Sequence, residues 1–271
     1  MTRIILITGA AGNIGAKITA HFRGTTDHAL RLLDKTPGDG IFAADFGIWD
    51  EAWAKHFAGV DTVIHLAGNP HGRANWASAK RDNIAGTQHV LRAAREAKVR
   101  RVVFASTNQV MLGYRFAIGP VTTDMPPAPL SPYGISKFAC EEMGRAFNEE
   151  TGIDFLALRI GYFQRGENLP GSHMGIGEWG QSMWVSNRDM NQAMGKAIEA
   201  PTFGFAIVNL ESNNAGMRWD IEHTRRVIGY VPLDSATPVI NEAKREEDRI
   251  ARAKTIIPGQ WLNEGFDAVE P

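Results

Sequence analysis

Tyr133 and Lys137 are the pair whose spacing first invites chemistry. Of the four tyrosines in the chain only Tyr133 has a lysine four residues on; Tyr114, Tyr162 and Tyr230 are followed at that distance by Ile118, Gly166 and Asp234. Positions i and i+4 share a helix face. Ser131-Pro132 before the tyrosine reads as a helix start, serine at the N-cap and proline in the first turn. Phenol and ammonium therefore point into one cleft. A free phenol has a pKa of about 10, too high for a base at neutral pH, and a neighbouring cation favours the phenolate. The pair is a general base or, in reverse, an acid. A hydroxyl partner belongs where the run Phe104-Ala105-Ser106-Thr107 ends. Either Ser106 or Thr107 can hydrogen-bond a reacting oxygen. The neutral amides of Asn108 and Gln109 suit a polyhydroxyl substrate, whose buried hydroxyls need paired donors and acceptors.

A second constellation binds rather than reacts. Thr8-Gly9-Ala10-Ala11-Gly12-Asn13-Ile14-Gly15 has the form G-x-x-G-x-x-G between an apolar run and a helical pattern. Gly9 permits the tight turn, Gly12 lets backbone approach a pyrophosphate, and Gly15 lets the helix pack closely. The N–H groups of the helix start, at Asn13 and Ile14, then face the anion. Asp34 lies 19 residues beyond Gly15, where a carboxylate accepts both ribose hydroxyls of an adenosine. That carboxylate repels a 2′-phosphate, so NAD is expected over NADP; Lys35 beside it weakens the preference. Asp45-Phe46 can take the adenine amine and cover its ring. Leu66-Ala67-Gly68 offers small residues past which a cofactor backbone can run, and Asn83 follows in the next helix.

The elements that must position these residues are legible as alternating patterns. Arg3–Thr8, Ala29–Asp34, Asp61–Leu66, Arg100–Ser106, Asp154–Arg159 and Phe205–Asn209 are near-continuous apolar runs, the mark of strands covered on both faces. Asn13–Arg23, Asp50–Phe57, Ala77–Ala97 and Pro132–Thr151 read as helices between them. The alternation predicts an α/β fold, a Rossmann doubly wound parallel sheet. Residues 1–160 are read as the NAD-binding core and 161–271 as a small substrate-capping region completing the same domain. From Gly161 to Gly180 glycine and proline interrupt every period, which predicts a long functional loop. Helices are expected near Arg188–Glu199, Trp219–Ile228 and Glu242–Lys254. The charges of Lys244–Arg252 are expected to form a solvated face.

These residues resemble the extended short-chain dehydrogenase/reductase superfamily over essentially the whole chain. The segments are Thr8–Gly15, Asp34, Asp45-Phe46, His65-Leu66-Ala67-Gly68, Asn83, Phe104–Thr107 and Tyr133–Lys137. Within it the chain is most similar to uronate dehydrogenases, through Val103–Asn108 with Leu112-Gly113-Tyr114, Leu158–Gly161, and Asn214-Ala215-Gly216 before Trp219-Asp220. The resemblance implies Thr107 as the catalytic hydroxyl, Tyr133 as base and Lys137 as its support. It implies that Asn83 steadies the lysine through water. Ile160 and the Gly161–Phe163 turn would touch the nicotinamide side, and Asn108 and Gln109 would bind substrate hydroxyls. The chain departs from that pattern at three places. Gln109 stands where a histidine is usual, and Pro70 where a serine is. The loop after Arg159-Ile160-Gly161 is longer and has no clear match for the arginine that holds the sugar carboxylate. Arg165 and His173 are the candidates there. Enzymes of this resemblance commonly form homo-oligomers.

The implied activity is oxidation of a small sugar or sugar acid at its anomeric carbon. A sugar-nucleotide epimerase is the alternative, though the C-terminal third leaves modest room for a nucleotide pocket. A dehydratase needs an acid and a base where Asn108 and Gln109 stand. A non-catalytic dinucleotide sensor would have no use for the Tyr/Lys pair. Composition narrows the rest. Hydrophobic residues make up 44% and charged residues 22%, and 29 basic against 30 acidic residues leave a net charge of −1. Nucleic acid and anionic membranes both call for a basic field and are not expected as partners. No run approaches the ~18 apolar residues of a membrane span, and no targeting segment is read. One cysteine, Cys140, suits a reducing, cytoplasmic setting and a packed position on the Tyr133 helix. No histidine grouping has metal-site spacing, and His65 reads as a satisfied core residue. Trp179 and Trp184 flank the candidate substrate loop.

Overall fold

The computed structural model describes residues 2–72 and 74–255. Apolar runs that cannot leave either face wet become strands of one parallel sheet. The strands are β1 (Ile4–Thr8), β2 (Ala29–Asp34), β3 (Ile41–Ala43), β4 (Thr62–His65), β5 (Arg101–Thr107), β6 (Asp154–Ile160) and β7 (Phe205–Leu210). Their order is β3-β2-β1-β4-β5-β6-β7, every pair parallel. The helices are α1 (Asn13–Thr25), α2 (Glu51–Ala54), α3 (Trp76–Ser78), α4 (Gly86–Glu96), α5 (Pro132–Thr151), α6 (Gly177–Ser182), α7 (Asn187–Glu199), α8 (Glu222–Ile228) and α9 (Glu242–Thr255). The chain reverses direction across the sheet between β1 and β4. A crevice opens there at the carboxyl ends of the strands.

Two cores cover the two faces. One gathers Ile5, Ile18, Leu156, Met190 and Tyr230 under α1 and α7. The other gathers Leu6, Trp53, Val90, Phe104 and Phe155 under α4 and α5. A smaller cluster of Val110, Met111, Trp179, Met183 and Trp219 closes the C-terminal end, with Trp179 and Trp219 rings 4.3 Å apart.

Several elements differ from expectation. β3 pairs only three residues with β2 at the sheet edge, too short a run to stand out in sequence. The helix expected over Ala77–Ala97 is two α-helical pieces joined by a π-helical stretch, Ala79–Ala85, which carries Asn83. The loop expected through Gly180 ends early in α6, and the helix expected from Trp219 starts at Glu222, whose N–H donates to the Asp220 carboxylate at 2.8 Å. α9 is not simply solvated. Its Asp248 pairs with Arg115 at 2.8 Å, and Glu247 accepts from Gly177 N at 3.0 Å at the start of α6. Of the region 161–271, residues 256–271 lie outside the described residues. Among the described residues no helix is long and apolar enough to cross a membrane.

Candidate active site

The turn from β1 into α1 is built by contact distances that leave no room for side chains. Gly9 has φ +71°, and a Cβ there would lie 2.7 Å from Ala67 N. A Cβ on Gly15 would lie 2.2 Å from Gly9 O. On Gly12 it would meet only Gly9 O, at 3.1 Å, so its outer side faces the cleft. Asn13 and Ile14 open α1 beneath that turn. At the rim, the Asp34 carboxylate accepts from Ala11 N at 3.0 Å and from Thr36 N at 2.9 Å. Asp45 accepts from Arg81 at 2.6 Å and lies 3.6 Å from Lys35. The Arg81 hydrogen bond is the largest reason its carboxyl sits below the ordinary range. Phe46 packs edge-on to Trp53, ring centroids 5.0 Å apart. Leu66, Ala67 and Gly68 run from the end of β4 along the floor. The cleft measures about 1080 Å³ and reaches from Asp34 and Lys35 past Gly12 to Thr107, Tyr133 and Ile160.

The other end of the cleft holds the candidate reactive groups. Ser131 caps α5, its hydroxyl accepting from Gly134 N at 3.1 Å. This sets Tyr133 in the first turn and Lys137 one turn on, both buried. Burial pushes the Tyr133 phenol up to about 12, opposed by its hydrogen bond with Thr107. Lys137 donates to Ala105 O at 2.8 Å and lies 4.6 Å over the Phe104 ring. Burial lowers its pKa to about 8, with the charges at Cys140 and Glu141 opposing. Gly68 makes room beside it, since a Cβ there would lie 2.7 Å from Asn83 Oδ1 and 3.7 Å from Lys137 Nζ. Asn83 Oδ1 accepts from Asn69 N at 2.7 Å and its Nδ2 donates to Ser136 Oγ at 2.9 Å. It thus ties the π-helical stretch to α5 one residue from Lys137. Cys140 is buried on α5.

The two hydroxyls at the end of β5 divide. Ser106 Oγ donates to Glu141 at 2.5 Å. Glu141 in turn holds Arg159 at 2.9 and 2.8 Å, an ion pair that is fully buried. Thr107 is left as the hydroxyl beside the phenol. Asn108 lines the cleft and donates to Glu211, and Gln109 lies near Ser131, 3.4 Å from its hydroxyl. Arg165 is exposed but lines the cleft. His173 sits outside the lining and pairs with Gln164 at 2.8 Å. Trp179 and Trp184 are buried behind the loop and do not line the cleft. His65 is buried between Thr8 Oγ1 at 2.7 Å and Thr87 Oγ1 at 3.1 Å, and burial drops its pKa to about 3. Among the described residues no group of three His, Cys, Asp or Glu side chains could hold a metal.

Glu141, Glu211 and Lys17 are site residues that the sequence reading passed over. The first two look like ordinary acids in sequence, Glu141 beside Glu142 and Glu211 before Ser212-Asn213, and only the fold buries them. Lys17 and Asn13 both donate to Gln164 O, at 3.1 and 3.0 Å, and so fasten α1 to the loop that carries Arg165.

Residues 5–163 match the NAD dependent epimerase/dehydratase family. The chain belongs to that family. The cleft accommodates the cofactor the family uses: bare glycine backbone faces the middle of the cleft and a carboxylate stands at its rim. NAD is the cofactor. Over 253 residues the chain is 34% identical to L-arabinose 1-dehydrogenase (NAD(P)(+)) of Haloferax volcanii, covering 87% of this chain and 98% of that one. It is 31% identical to uronate dehydrogenase of Pseudomonas putida, covering 86% and 84%. Among solved structures, uronate dehydrogenase from Agrobacterium tumefaciens complexed with NAD superposes with a TM-score of 0.72 at 25% identity, covering 95% of this chain and 91% of that one.

Proposed function

We propose that this NAD-dependent sugar dehydrogenase oxidises a small sugar or sugar acid at the anomeric carbon to the lactone, with Tyr133 as the base. The observation that carries the reading is the meeting of the Tyr133 phenol, the Thr107 hydroxyl and the buried Lys137 ammonium at one end of a glycine-floored cleft. When bound, NAD supplies the hydride acceptor and a positive charge near the phenol. Thr107 hydrogen-bonds the anomeric oxygen and fixes its distance from Tyr133. The phenolate takes the hydroxyl proton as the C1 hydrogen leaves with its electron pair and the C1–O bond becomes a carbonyl. Lys137 keeps the proton-accepting form accessible. Buried at both ends, the phenol and ammonium act on each other in a poorly screened setting, where such charge effects are strong. Asn108 and Gln109 are assigned to ring hydroxyls, and Arg165 to a carboxylate where the sugar bears one. Uronates such as galacturonate and glucuronate are the first substrates to try, given the uronate dehydrogenase relatives.

The test is to incubate the purified protein with NAD and, separately, galacturonate, glucuronate, L-arabinose, glucose 6-phosphate and UDP-glucose, following NADH absorbance. NADH formed with a uronate is expected. NADH from the neutral sugar alone keeps the mechanism and discards the carboxylate. No NADH from any of them, with UDP-glucose converted to its epimer, overturns the dehydrogenase reading.

A further inference from the structure

Asn108 and Glu211 meet across the carboxyl end of the sheet. Asn108 follows β5 directly and Glu211 follows β7. Between them runs β6, followed by Gly161. A Cβ on Gly161 would lie 2.0 Å from Met183 O. Both side chains are buried, Asn108 at 2% exposure and Glu211 at 0%. Asn108 Nδ2 donates to Glu211 Oε1. Asn108 Oδ1 and Glu211 Oε2 are buried with no hydrogen-bond partner among the described residues. Glu211 is also held through its backbone, since Tyr230 donates to its carbonyl at 2.7 Å from a fully buried hydroxyl. The acid therefore has a fixed position, and Asn108 must fit to it.

An amide can face an acceptor only with its NH₂ group. We infer that Glu211 is a positioning residue that locks the Asn108 amide with Nδ2 turned away from the cleft and Oδ1 left as a fixed acceptor for one substrate hydroxyl. The inference rests on the sugar-dehydrogenase reading and deepens it. A site with a locked acceptor discriminates by hydrogen-bonding pattern: it accepts a hydroxyl there and penalises a group that cannot donate, because a buried carbonyl would stay unpaired. Burial pushes the Glu211 carboxyl well above the ordinary range, with the Asn108 hydrogen bond opposing. Protonated on Oε2 or ionised, Oε1 remains an acceptor and the amide orientation holds. No sequence motif announces the acid. It is one Glu after an apolar strand, and only the register across β5, β6 and β7 brings it behind Asn108.

The test is a double-mutant cycle on the full chain with Glu211→Gln, Asn108→Ala and the two combined, using whichever of galacturonate, glucuronate, L-arabinose or glucose 6-phosphate the wild type oxidises fastest. A glutamine has the same shape but can donate as well as accept, so the Asn108 amide is free to turn over. Glu211→Gln is expected to raise KM about five- to tenfold, the size of one mispaired hydrogen bond, with kcat changed less than about twofold and thermal melting close to wild type. Asn108→Ala should raise KM by about tenfold, and adding Glu211→Gln to it should do nothing more, because the acid acts only through the amide. KM factors that multiply in the double variant, or a kcat loss as large as the KM change, overturn the positioning role while leaving the dehydrogenase reading intact. A wild-type protein that oxidises none of the four sugars overturns both.

Discussion

At the residue scale the site is a contest between burial and charge at two side chains one helical turn apart. Burial drives the Tyr133 phenol up to about 12 against the Thr107 hydrogen bond, and the Lys137 ammonium down to about 8 against the charges at Cys140 and Glu141. Each shift favours the neutral form, and in the proposed reaction an opposite charge brought near either group offsets it. In the proposed reaction oxidation consumes the deprotonated phenol, and the rate is expected to rise with pH until Tyr133 has titrated. Lys137 stabilises that phenolate while it is cationic, below its own pKa. Lys137→Met removes the cation, so kcat/KM should fall by about 10²-fold or more at pH 7, and by progressively less above about pH 8, where the wild-type lysine is itself neutral. A pH profile of the variant checks this; a uniform loss at every pH would mean that the lysine only packs. The carboxylate assignment has its own residue-scale test. Arg165 lines the cleft, whereas His173 is turned toward Gln164. Arg165→Ala is expected to raise KM for galacturonate about tenfold, one charge-assisted hydrogen bond at a half-wet site, and to leave KM for L-arabinose unchanged. Equal changes for both sugars would remove Arg165 from that role, and His173→Ala should alter neither.

At the scale of elements, the placement of the phenol depends on how α5 is fastened to the sheet. Ser131 and Pro132 start the helix, and Glu141 anchors it two turns later. Glu141 accepts from Ser106 on β5 and from Nε and Nη2 of Arg159 on β6, entirely out of water. A buried pair of this kind adds little over an apolar replacement, but removing one partner strands the other. Glu141→Ala is therefore expected to cost about 3–5 kcal/mol in a denaturant titration, and the double replacement Glu141→Leu with Arg159→Met appreciably less. A single variant as stable as wild type would show that α5 is held by its apolar face alone. This anchor also marks the limit of what sequence reveals. The strands were legible because burial on both faces demands unbroken apolar runs, and the glycine turn because steric room demands glycines at fixed spacing. By residue type alone Ser106 and Thr107 are not separable, and only the family resemblance points to Thr107; in the fold, the alternation of side-chain direction along β5 sends Ser106 to Glu141 and Thr107 to Tyr133. The π-helical stretch that holds Asn83 was hidden for a similar reason. Its apolar spacing passes for an ordinary helix, while the stretch carries Asn83 to its partners Asn69 and Ser136.

At the scale of the whole molecule, the cleft draws on elements far apart in the chain: the β1–α1 turn, the end of β2, the end of β4, β5 with α5, and the segment after β6. Fully assembled only in the folded state, such a site couples cofactor binding to global stability. A ligand at 100 times its Kd contributes about 2.7 kcal/mol, which for a chain of this size raises Tm by about 5–10 °C. Melting with NAD should show that rise. Asp34 is the residue proposed to decide which cofactor produces it. Its carboxylate stands at the rim beside Lys35, already fixed by Ala11 N and Thr36 N, so it presents a preformed negative charge to the adenosine ribose. NADP carries a phosphate at that ribose, and the wild-type rise with NADP should be smaller. Asp34→Ala removes both the ribose acceptor and the repulsion, while Lys35 and Arg81 remain nearby as cations. The variant should lose most of the rise with NAD and gain on NADP, reversing or levelling the preference. If the ratio of the two shifts is the same in the variant as in the wild type, selection between the cofactors lies elsewhere in the cleft, and Asp34 serves only to brace the glycine turn.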